Sequence, residues 1–123
     1  MKLDSDAAAA LAHLRLSVSD LSQAISFFET IGAREDVRRD GFAVVEFRDR
    51  TRLQLTQSEE KIAAATPLQF DFKVEDIDAA WREYDAKGLR PAEIIRRTPG
   101  HDSFVLNGPD AWEVKINSGY KGS

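Results

Sequence analysis

A chain of 123 residues with 42% hydrophobic and 31% charged side chains has the size and composition of one globular domain. Its net charge of -4 argues against a nucleic-acid partner, and no basic patch with interleaved aromatics offsets that balance. The absence of cysteine excludes disulfides, thiolate zinc sites and cysteine nucleophiles.

In chain order, residues 1–10 read as a loosely held lead-in. The Ala7–Ala10 run is too short for a leader and follows Asp4 and Asp6 instead of a basic stretch, and no segment is apolar enough to span a bilayer. A cytoplasmic protein with no membrane contact is expected. Leu14, Leu16 and Val18 then alternate with polar residues, which predicts a strand with one buried face. A helix follows at once. Ser19 or Asp20 supplies its cap, Leu21, Ala24, Ile25 and Phe28 its apolar stripe, and Gly32 its left-handed closure. Strands are expected over 33–38, 42–48 and 51–57, with Asp40-Gly41 as a tight turn.

Residues 58–66 form a linker that ends at Pro67. Beyond it, Phe70, Phe72 and Val74 alternate, and Glu75 or Asp76 caps a helix striped by Ile77, Ala80, Trp81 and Tyr84 and closed by Gly88. Strands are predicted over 92–96, 103–107 and 112–117, with a turn at Gly108-Pro109-Asp110. Residues 13–33 fall on residues 69–89 at a constant offset of 56, Phe28 meeting Tyr84 and Gly32 meeting Gly88. The chain is therefore read as a single α+β domain of two tandem βαβββ modules that form a curved mixed sheet. Module 1 covers about 11–57 and module 2 about 67–118. Any site is expected where the copies face each other.

The alternation also predicts a lining. If the helices cover the apolar faces, the opposite faces present His13, Arg15 and Ser17, then Arg52, Gln54 and Thr56, then Gln69, Asp71 and Lys73, then Glu113, Lys115 and Asn117. Together these residues suit a polar or anionic small molecule, although Arg15 with Asp71, or Lys115 with Glu113, equally read as pairs that satisfy one another. His101-Asp102-Ser103 is not a catalytic triad, because neighbours on an extended segment point to opposite faces. His101 alone reads as a surface residue or as an acid or base at the rim. Trp81 is expected in the core, and Trp112, Phe47 and Phe104 either in the core or stacked on a ligand.

The chain resembles the vicinal oxygen chelate superfamily of glyoxalase I, extradiol dioxygenases, fosfomycin-resistance proteins and bleomycin-resistance proteins. The matching residues are His13 through Phe28, Arg52-Leu53-Gln54-Leu55, Gln69 through Gly88, and Phe104 through Asp110. The resemblance implies the paired βαβββ fold, often as a homodimer. It also implies a divalent metal held from strands one, four, five and eight, and these positions carry over to His13, Gln54, Gln69 and a fourth residue. The fourth is Lys115 counted from Pro109 without a gap, or Glu113 if the turn is shortened.

Two readings stand. One is a binding protein of the bleomycin-resistance type that holds a small polar ligand with no tightly bound metal, lined by His13, Arg15, Arg52, Gln54, Gln69, Asp71 and Lys115. The other is a metal-dependent lyase or dioxygenase with His13, Gln54, Gln69 and Glu113 as ligands.

Overall fold

The computed structural model describes residues 8–122, and the chain divides into two compact units, Met1–Ser58 and Glu59–Ser123. Of the expected lead-in, residues 1–7 lie outside the described residues, and 8–12 are exposed without regular structure.

In the first unit, β1 (His13–Val18), α1 (Leu21–Thr30), β2 (Arg34–Arg39), β3 (Phe42–Glu46) and β4 (Arg52–Gln57) build one sheet in the order β1-β4-β3-β2. β1 runs parallel to β4, and the other pairings are antiparallel. The alternation sends Leu16, Val18, Ala43, Val45, Leu53 and Leu55 to one buried face. Helix α1 packs on β2, β3 and β4 and buries Ala24, Ile25 and Phe28, the residues spaced three and four apart. Asp20 is its cap, accepting the Gln23 N–H at 3.0 Å. At the other end Gly32, at φ 120°, lets Ala33 N–H reach the Phe28 carbonyl at 2.8 Å, a closure that a side chain there would strain. The strand expected over 42–48 stops at Glu46. A turn follows at Arg48–Arg50, with Asp49 and Arg50 both at φ 64° and Phe47 N–H bonded to the Thr51 carbonyl at 2.8 Å.

The second unit repeats the plan with two departures. Its elements are β5 (Thr66–Pro67), β6 (Phe72–Lys73), α2 (Ile77–Ala86), β7 (Ser103–Asn107) and β8 (Trp112–Asn117). Both β5 and β6 pair parallel to β8, and β7 pairs antiparallel to it. The single strand expected through Phe70, Phe72 and Val74 is thus broken. From Pro67 to Phe72 the chain takes five steps where β8 takes three, from Glu113 to Ile116, so residues between them leave the ladder. The strand expected over 92–96 is reduced to Ala92 N–H on the Val105 carbonyl at 3.0 Å and a bridge between Ile95 and Ser103. Between these contacts the chain takes three steps, from Ala92 to Ile95, where β7 takes two, from Val105 to Ser103, so the register slips and no continuous ladder forms.

The helical part of the repeat holds down to single hydrogen bonds. Asp76 caps α2 through Ala79 N–H at 3.0 Å, and Gly88, at φ 86°, lets Leu89 N–H reach the Tyr84 carbonyl at 3.0 Å. Tyr84 and Phe104 meet edge to face with centroids 6.0 Å apart, within a core of Leu68, Ile77, Leu106, Val114 and Ile116. Burial pushes the Tyr84 hydroxyl pKa up. Trp81, expected in that core, is only half-buried: its position on α2 leaves the ring at the surface, where Nε1–H donates to the Ala92 carbonyl at 2.8 Å. Residues 58–63 carry no regular element, and Ala65 at φ 57° turns the chain into β5. Among the described residues no helix is long and apolar enough to cross a membrane.

Candidate functional site: the polar sheet faces

Strand register fixes which side chains share a face. In the first unit His13 pairs with Arg52 and Arg15 with Gln54, and β3 sets Glu46 beside Arg52 and Val44 beside Gln54. These six residues lie opposite the buried Leu16, Leu53 and Leu55. On that face Arg52 is spoken for. Its Nη2 lies 3.6 Å from Glu46 Oε2, and its buried Nε lies 3.3 Å from Asp36 Oδ2, an ion pair without hydrogen-bond alignment. Arg34 bonds the other Glu46 oxygen. The Arg34 hydrogen bond, with the charges of Arg34 and Arg52, holds the Glu46 carboxyl below its usual range against the opposing effect of desolvation. Two guanidiniums and two carboxylates thus balance. Arg15, by contrast, is exposed and its side chain makes no ion pair or hydrogen bond among the described residues, and neither do the side chains of exposed His13 and half-buried Gln54.

In the second unit, Phe72 pairs with Ile116 and Lys73 with Asn117, so Lys73, Glu113, Lys115 and Asn117 share the polar face. Asp71 accepts a hydrogen bond from Asn117 Nδ2 at 3.2 Å. Gln69 lies in the segment that has left the ladder, off any strand. The expected Lys115–Glu113 pair does not form among the described residues.

The register also separates Lys115 from Glu113. Leu16 and Phe72 correspond in the repeat, and their partners on β4 and β8 are Leu55 and Ile116. Gln54 therefore corresponds to Lys115, and Arg52 to Glu113. The donors at the positions the resemblance implies are one imidazole, two neutral amides and an ammonium. An ammonium repels a divalent cation, and amides are weak ligands for it, so this set does not fit a tightly held metal. Among the described residues no three His, Cys, Asp or Glu side chains come together as a ligand group.

A model for the Glyoxalase/Bleomycin resistance protein/Dioxygenase superfamily matches residues 10–116. The chain belongs to this superfamily. Solved structures of similar fold include a lactoylglutathione lyase from Agrobacterium tumefaciens, 18% identical, covering 90% of this chain and 94% of that one at a TM-score of 0.74. A bleomycin resistance determinant encoded on the transposon Tn5 is 16% identical, with 89% and 98% covered and a TM-score of 0.72. Fosfomycin resistance protein FosX from Mesorhizobium loti is 22% identical, with 92% and 94% covered and a TM-score of 0.72. No curated protein sequence matches the chain. At these identities the likeness establishes the superfamily fold and leaves the chemistry to the residues of this chain.

Sequence reasoning missed a second group of charges in the second unit. Asp102, with a side chain only 8% exposed, receives Lys121 Nζ at 2.7 Å, Arg96 Nη1 at 3.2 Å and Arg97 N–H at 3.1 Å. Arg96 also reaches Asp78 at 2.6 Å. The hydrogen bond from Lys121, then those from Arg97 and Arg96, hold the Asp102 carboxyl below its usual range although desolvation opposes them. His101 turns away from Asp102. Its Nδ1–H donates to the Ser118 carbonyl at 2.8 Å, and its ring meets Tyr120. A shallow cavity of about 560 Å³ nearby is lined by Trp81, Glu93, Ile94 and Arg96. The one sequence signal for this group was an aspartate opening an apolar strand, and such a residue needs partners when buried.

Proposed function

We propose that the protein binds a small polar ligand on the polar sheet faces of its modules, without a tightly bound metal. Ligand contacts are assigned to His13, Arg15, Gln54, Gln69, Asp71 and Lys115, with Arg52 a neutralised part of the floor. The observation that carries this reading is the register match of Lys115 with Gln54, which puts an ammonium where the superfamily resemblance implies a metal ligand. The proposed state is a homodimer, as the resemblance implies, in the cytoplasm, as the leader-free reading of the sequence implies, to be checked by light scattering and fractionation.

Metal analysis of the full chain purified without chelator tests the proposal. Substoichiometric Ni, Zn, Fe and Mn are expected. A stoichiometric ion lost on His13→Ala would overturn it and favour the other reading, a metal-dependent lyase or dioxygenase.

A further inference from the structure

Resting on the ligand-binding reading above, we infer that the ligand carries an oxyanion, a carboxylate, phosphate or phosphonate group, and that Arg15 of the first unit receives it, with Gln54 and His13 as neighbouring donors.

The inference comes from subtracting the charges that the fold has already used. Two arginines stand on adjacent strands of this face, and the fold treats them differently. Arg52 is met by Glu46 and Asp36, and Glu46 is in turn shared with Arg34, so this part of the face is electrically closed. A ligand anion approaching Arg52 would compete with two carboxylates. Arg15 has no carboxylate beside it in the ladder: its partner across the strands is Gln54, and beyond Gln54 lies Val44. Among the described residues, the charge left unpaired on this face is cationic.

The geometry suits a planar or tetrahedral oxyanion. Paired residues on neighbouring strands lie about 5 Å apart, and residues two apart on one strand roughly 7 Å apart, so His13, Arg15, Arg52 and Gln54 stand at the corners of a small rectangle. A guanidinium offers a rigid fork of N–H donors that matches two oxygens of one acid group. The Gln54 amide is half-buried and has no partner among the described residues, so its N–H₂ is a donor ready for a third oxygen. Val44, only 6% exposed, keeps one side of that amide dry, and a charge-assisted hydrogen bond is stronger where water is excluded. Asp36 and Glu46 would attract a cationic ligand only if they were free, and the arginines occupy both.

The test is an amide-shift titration of the full chain with inorganic phosphate, methylphosphonate and acetate, run beside acetamide as the neutral probe and ethylammonium as the cationic one. The oxyanions should move amides within 13–17 and 52–56 in a saturable way, and added chloride should weaken the effect. Arg15→Ala should weaken oxyanion binding about tenfold or more, and Arg15→Gln similarly, since both lose the fork. Arg82→Ala, at an exposed position on α2, should stay within about twofold of the parent. Arg15 is exposed, so both variants are expected to keep the parent spectrum outside the face. Acetamide or ethylammonium moving these amides while the oxyanions do not would overturn the inference and leave the binding reading standing. If no probe moves them, both fall together. Oxyanion binding unchanged in Arg15→Ala and Arg15→Gln would also overturn it.

Discussion

Gln54 and Lys115 hold the same register position in their two sheets, each one residue before the parallel partner of a corresponding strand residue, Leu16 in one unit and Phe72 in the other. The second repeat thus carries an ammonium where the first carries an amide. At this position the two sheets share their register and not their donor type.

Lys115→Glu should therefore favour a divalent ion on the polar faces by exchanging repulsion for a carboxylate donor. After incubation with nickel and desalting, the variant is expected to retain several-fold more metal per chain than the parent. Equal retention would show that position 115 does not influence a cation at the site.

Stability in acid should depend on Asp102. Its folded carboxyl titrates below the ordinary aspartate range, so its contribution is fully present above the unfolded value, about 3.9, and is lost as pH falls through the lower folded value. The gap in urea midpoint between the parent and Asp102→Asn should be widest near neutrality and close progressively as the solution becomes more acidic than that range. A gap independent of pH would place the aspartate's contribution in shape instead of charge.

The two helix caps should act as independent and nearly equal supports. Asp20→Ala and Asp76→Ala each remove one acceptor from an N-terminal N–H, at 3.0 Å in both cases. Each should cost about 1 kcal/mol in denaturant titrations. The two losses should add within about 0.5 kcal/mol in the double variant, since the caps share no partner.

Phe28 is fully buried and packs edge-on against Phe27 and Phe47, with centroids 5.2 Å and 6.1 Å away. Phe28→Ala should cost about 3–5 kcal/mol in unfolding free energy and Phe28→Leu clearly less, because leucine refills part of the cavity. Equal effects of the two would mean that the site collapses around either side chain.

What the sequence by itself determined was most of what neighbours along the chain govern. Period-two alternation identified β1, β4 and β8, helical spacing identified α1 and α2, and the caps and closing glycines followed from the few residues that can accept a free N–H or adopt a positive φ. The duplication followed from these, since both copies bury and terminate alike. What only the tertiary structure decided was register. Glu113 and Lys115 lie two apart and point to the same face, so alternation cannot choose between them, whereas the pairing of Phe72 with Ile116 can. The break between β5 and β6 was hidden for the same reason: a bulge that adds two residues preserves the alternation of faces. The neutralisation of Arg52 was equally hidden, because Asp36 and Glu46 reach it from β2 and β3, through long-range pairings that residue order does not display.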